Sequence, residues 1–93
     1  MKFSIIVCAY NEEKVIIRCL KSLIKIDYQL NDYEVIIVND GSKDSTFKIL
    51  EDLLSEIKEL KVIHLRKNYG QTAAMSAGFD NSTGEIIVSL DGD

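Results

Sequence analysis

The chain has 93 residues, 46% of them hydrophobic and 28% charged, which suits one small globular domain and excludes disordered and fibrous classes. A net charge of −4 argues against broad electrostatic attraction to nucleic acid. The opening apolar run is too short for a signal peptide or a membrane span, and the two cysteines, without framework spacing, suggest a reducing compartment.

Phe3 to Cys8 is an apolar, β-branched run of strand length that ends at Ala9-Tyr10-Asn11-Glu12-Glu13. Asn11 is a good helix cap, and Glu12 and Glu13 suit the positive end of a helix dipole. Val15, Ile16, Cys19, Leu20, Leu23 and Ile24 then recur at helical spacing, with Lys14, Arg18, Lys21 and Lys25 opposite them. Asp27 to Asp32 is polar enough for a loop. Val35 to Val38 is a second buried strand, stopped by the turn signal Asn39-Asp40-Gly41-Ser42.

A helix is predicted from about Asp44, burying Phe47, Leu50, Leu53, Leu54 and Ile57. Val62 to Leu65 reads as a short third strand, followed by Arg66-Lys67-Asn68-Tyr69-Gly70. Gln71 to Phe79 reads as a helix whose small residues Ala73, Ala74, Ser76, Ala77 and Gly78 permit close approach to a sheet. Asn81-Ser82-Thr83-Gly84 turns the chain into a fourth strand, Ile86 to Leu90, expected to be buried on both faces and ending in Asp91-Gly92-Asp93. The alternation predicts an α/β fold: a Rossmann-like, three-layer domain over residues 1–93. Its four mostly parallel strands are expected in the order 3-2-1-4, with right-handed crossovers.

In such a sheet the carboxyl ends of all four strands share one edge, where ligands collect. Polar side chains concentrate there, while neither a dinucleotide glycine motif nor a phosphate loop is present. Asp91 and Asp93 can converge on Mg²⁺ or Mn²⁺, which take oxygen ligands and share their shell with substrate phosphates. Asp40 can accept hydrogen bonds from a base or ribose. The plainer alternatives are a solvated chain end for Asp91 and Asp93, and a turn with a helix start for Asp40 to Ser42. His64 and Met75 read as structural.

Three segments, Val7 to Glu13, Ile37 to Thr46 and Leu90 to Asp93, together resemble the family-2 glycosyltransferases with the nucleotide-sugar-binding GT-A fold, and the likeness covers the whole chain. Arg66 to Gly78 resembles the branch that moves a sugar from a nucleotide onto a polyprenyl phosphate. The resemblance implies that Ala9, Tyr10, Asn11 and Glu12 line a nucleotide pocket, that Asp40 holds the base and that Arg66 lies beside the nucleotide. It also implies that Asp91 and Asp93 bind the metal that bridges the diphosphate of a UDP- or GDP-linked sugar. Cys8 and Asn39 depart from the proline and aspartate of many members, and Asn39 removes one carboxylate from the base pocket.

The implied reaction is an inverting, metal-assisted hexosyl transfer, cytoplasmic or at the cytoplasmic face of the membrane. Family members carry the acceptor site and any catalytic base beyond Asp93, so the chain is expected to be a nucleotide-binding part that does not turn over. A polysaccharide-building transferase and a non-catalytic nucleotide-binding domain are the competing functions. A receiver or flavodoxin-like domain shares the alternation but would want its acidic cluster after the first strand.

Overall fold

The computed structural model describes residues 2–10, 18, 22, 33–41 and 45–91, without the side chains of Leu90 and Asp91. Its elements are β1 (Phe3–Ala9), β2 (Tyr33–Asn39), α1 (Thr46–Leu54), β3 (Leu60–His64), α2 (Gln71–Asp80) and β4 (Ile86–Asp91). The strands form one sheet in the order β3-β2-β1-β4, and every neighbouring pair is parallel. The topology is the one expected. The helix predicted after β1 lies outside the described residues except for Arg18 and Ser22, which are helical.

Nearly every residue of β1 and β2 is buried, which is why their sequences run apolar instead of alternating. Ile5, Val7, Ala9, Val35, Ile37 and Leu60 face α1, where Leu50 and Leu53 meet them. Ile6, Cys8, Ile36 and Val38 face the other way, against Ala74 of α2. The result is helix, sheet, helix.

Two expectations about burial fail. Phe47 and Leu54 of α1 are 52% and 38% exposed. Only Thr46, Leu50 and Leu53 share the buried stripe; at about 100° per residue, Phe47 and Leu54 point to its side. Strand β4 was expected to be covered on both faces, yet Ile86, Ile87 and Val88 are 36%, 42% and 39% exposed. It pairs with β1, while α2 packs over β1 and β2.

On α2 the small residues act at two positions. Ala74 and Gly78, one turn apart, are buried, whereas Ala73 and Ser76 face solvent. A Cβ on Gly78 would lie 2.5 Å from Cγ2 of Ile6, so the backbone of α2 rests directly on β1.

The amino-terminal edge of the sheet holds a feature that the sequence does not announce. Glu34, the second residue of β2, is itself buried. Its Oε2 accepts from Ser4 Oγ at 2.6 Å, Thr83 N at 2.7 Å and Thr83 Oγ1 at 3.1 Å, and Lys61 Nζ lies 2.6 Å from Oε1. Ser4 Oγ in turn accepts from Gly84 N at 2.8 Å. Burial pushes the Glu34 carboxyl up, but the Lys61, Ser4 and Thr83 donors outweigh it and hold the group at about 2 against an ordinary 4.5. The cluster ties β2 to β1, β3 and the turn before β4.

Candidate functional site

The parallel register decides which residues meet at the carboxyl edge. Ala9 is level with Asn39, Asn39 with His64, and Cys8 with Asp91. The ladder runs one step past the strands, because Asp40 N donates to the Ala9 carbonyl at 2.8 Å and Leu65 N donates to the Asn39 carbonyl at 2.9 Å. Tyr10, Asp40, Arg66 and Asp91 therefore leave the same edge within one or two residues of each other. From β3 to β4 the edge is three strand spacings wide, about 14 Å.

Of the residues singled out in the sequence, Tyr10 is 40% exposed at the tip of β1. The Ala9 side chain is buried in the core, so only its backbone is offered to the edge. Arg66 is exposed in the turn after β3. Asp91 is the last residue of β4. Asn11, Glu12 and Asp93 lie outside the described residues.

Asp40 is only 5% exposed, and its carboxylate is engaged. One oxygen accepts from Tyr69 N at 2.9 Å and the other from Gly70 N at 3.1 Å. The next residue, Gly41, has φ +68°, and a Cβ there would lie 2.2 Å from the carbonyl carbon of Lys67. Only glycine lets the 66–70 segment cross the tip of β2 this closely.

Beside it runs a second polar chain. The Asn39 side-chain nitrogen, which can only donate, lies 3.1 Å from His64 Nδ1, so the imidazole hydrogen sits on Nε2 and is donated to Glu51 Oε2 at 3.0 Å. Phe47 stacks on the His64 ring with centroids 4.0 Å apart, which accounts for its position outside the core. A cavity of about 490 Å³ opens here, lined by residues that include Asn39, Phe47, His64, Arg66, Lys67 and Asn68. Sequence reasoning named His64 as structural without finding its partners. The only signal was its level with Asn39 once the strands are set in register.

Mg²⁺ and Mn²⁺ prefer hard oxygen donors, and the backbone of β4 ends at this edge with Asp91. Among the described residues no three His, Cys, Asp or Glu side chains cluster to hold a metal. Also among the described residues, no helix is long and apolar enough to cross a membrane.

The profile described as "Glycosyl transferase family 2" matches residues 4–93. The chain is similar to the undecaprenyl-phosphate 4-deoxy-4-formamido-L-arabinose transferase of Proteus mirabilis, with 39% identity over 99% of this chain and 29% of that protein. Among solved structures it is similar to S. aureus TarS 1-349 in complex with UDP-GlcNAc, with TM-score 0.88 and 37% identity over 100% of this chain and 27% of that one. It is also similar to the mannosyltransferase PcManGT from Pyrobaculum calidifontis in complex with GDP-Man and Mn²⁺, with TM-score 0.89 and 27% identity over 98% of this chain and 27% of that one. The chain spans about three-tenths of the length of the curated relatives it matches.

Proposed function

Because the chain belongs to glycosyl transferase family 2, we propose that its carboxyl edge binds the nucleotide diphosphate of a UDP- or GDP-linked sugar, which is then transferred to a polyprenyl phosphate. The observation that carries this reading is the convergence of Tyr10, Asp40, the Arg66 turn and Asp91 on one edge of a parallel sheet in the order 3-2-1-4. The concentration of polar residues at the tips of otherwise apolar strands supports it, as do the UDP-GlcNAc and GDP-Man complexes of the two solved relatives. The name of the Proteus mirabilis relative supports the lipid-phosphate acceptor.

In this proposal Tyr10 offers its exposed ring to the base, with Ala9, Asn11 and Glu12 completing that wall, and Asp40 and Arg66 border the base and ribose. Asp91 and Asp93 lie at the diphosphate end. A Mg²⁺ or Mn²⁺ ion bound by those two carboxylates would neutralise charge on the departing diphosphate. The bond from the anomeric carbon to the diphosphate breaks, and its electron pair leaves with the nucleoside diphosphate. A new bond forms from an acceptor phosphate oxygen on the opposite face, inverting the centre. That oxygen is already anionic, so no strong base is required, and positioning supplies much of the rate.

Calorimetric titration of the chain with UDP and with GDP, each with and without Mn²⁺, tests the proposal. Saturable binding of one nucleotide that strengthens with Mn²⁺ is the expected result. No heat with either nucleotide at millimolar concentration refutes it.

A further inference from the structure

We propose that Asp40 is a positioning residue whose carboxylate fixes the Arg66–Gly70 loop on the tip of β2 before any nucleotide arrives. This deepens the proposed function and rests on it only for what the loop serves.

The contact is two-pronged. The Tyr69 and Gly70 N–H groups, adjacent in the chain, point at the two oxygens of one buried carboxylate at 2.9 and 3.1 Å. A carboxylate suits this pair because it is acceptor-only at both oxygens, whereas an amide would set an NH₂ group against one of the donors. Gly70 N also lies 2.9 Å from Asn68 Oδ1, so the loop closes on itself at the same point.

Both glycines that flank the contact are conformationally required. Gly41 gives the loop room to pass. Gly70 sits at φ +98° and ψ 162°, a conformation that side-chain-bearing residues avoid, and this aims its N–H back toward Asp40. Gly70 is also the cap residue of α2 and has no side-chain oxygen to satisfy the helix terminus. Asp40 supplies negative charge beside that positive end from a different strand. Its geometry therefore locks three things together: the tip of β2, the turn that carries Arg66, and the start of α2.

Two of about four acceptor positions on the carboxylate are used by the loop. Asp40 is thereby placed to act on a nucleotide mainly through Arg66 and its neighbours, with any direct contact additional.

Amide hydrogen exchange of the free chain, paired with UDP and GDP titrations in the presence of Mn²⁺, tests this in the wild type, Asp40→Asn and Gly70→Ala. All measurements are made where each variant is folded. Asp40→Asn is expected to speed exchange at Tyr69 and Gly70 by about tenfold or more while leaving β1 amides unchanged. Gly70→Ala, which removes no group able to touch a ligand, is expected to weaken nucleotide binding by about tenfold, as Asp40→Asn does. Unchanged exchange at Tyr69 and Gly70 in Asp40→Asn, or wild-type affinity in Gly70→Ala, overturns the proposal. The exchange arm needs no nucleotide. If the wild type binds neither UDP nor GDP, the proposed function fails, and exchange alone still decides whether Asp40 holds the loop.

Discussion

Replacing Glu34 with glutamine removes one charge from a buried carboxylate while keeping its shape. In the wild type, Ser4 Oγ, Thr83 N and Thr83 Oγ1 all donate to Oε2, and Lys61 Nζ stands 2.6 Å from Oε1. The folded chain holds this carboxyl at about 2 against 4.5, which at full value is worth about 3 kcal/mol at neutral pH. Lys61 is half exposed, and solvent screening of that pair brings the expected contribution to about 1–3 kcal/mol. The sign follows from the depressed value: the stabilisation is present above pH 4.5 and is lost as pH falls through about 2.

Urea denaturation of the wild type and Glu34→Gln at a series of pH values from 7 to 2 isolates the effect, because other carboxylates cancel in the difference. The variant is expected to be about 1–3 kcal/mol less stable at pH 7, with the gap closing toward pH 2. A gap of zero at pH 7, or one that stays constant with pH, would show that the charge on Glu34 does not stabilise the amino-terminal edge.

Other substitutions test the remaining contacts. His64→Ala leaves the buried Asn39 amide without its ring partner and Phe47 without its stack, and should cost about 1–3 kcal/mol in the same denaturation assay. Gly78→Ala should destabilise by about 1–2 kcal/mol despite the better helix propensity of alanine, because the new methyl meets Ile6; a stabilised variant would show that α2 sits further from β1. Asp91→Asn is expected to abolish the Mn²⁺-dependent part of nucleotide affinity and to leave the fold intact, as read by calorimetry and circular dichroism.

The strands were legible because burial on both faces leaves long apolar runs, and right-handed crossovers then leave few orders for four parallel strands. The edge that gathers Tyr10, Asp40 and Asp91 follows from that order alone. Side-chain partnerships did not, since they depend on register. Glu34 stands just before the apolar run Val35 to Val38 and carries no signal until Ser4, Lys61 and Thr83 arrive from three other places in the chain. The grip of Asp40 on Tyr69 and Gly70 spans about thirty residues and involves backbone donors, which carry no sequence signature. Phe47 and the residues of β4 were misjudged for the opposite reason: an apolar side chain states a preference for burial, but only the packing geometry decides whether a neighbour is there to cover it.

Paramagnetic Mn²⁺ offers the most direct test of where a nucleotide binds. The two edges of the sheet lie about 20 Å apart along a seven-residue strand. Mn²⁺ added with UDP or GDP should broaden the amide resonances of Ala9, Tyr10, Asp40 and Asp91 and leave those of Glu34 and Thr83 sharp. Broadening centred on Glu34 and Thr83, or none that requires nucleotide, would contradict a nucleotide-sugar site at the carboxyl edge.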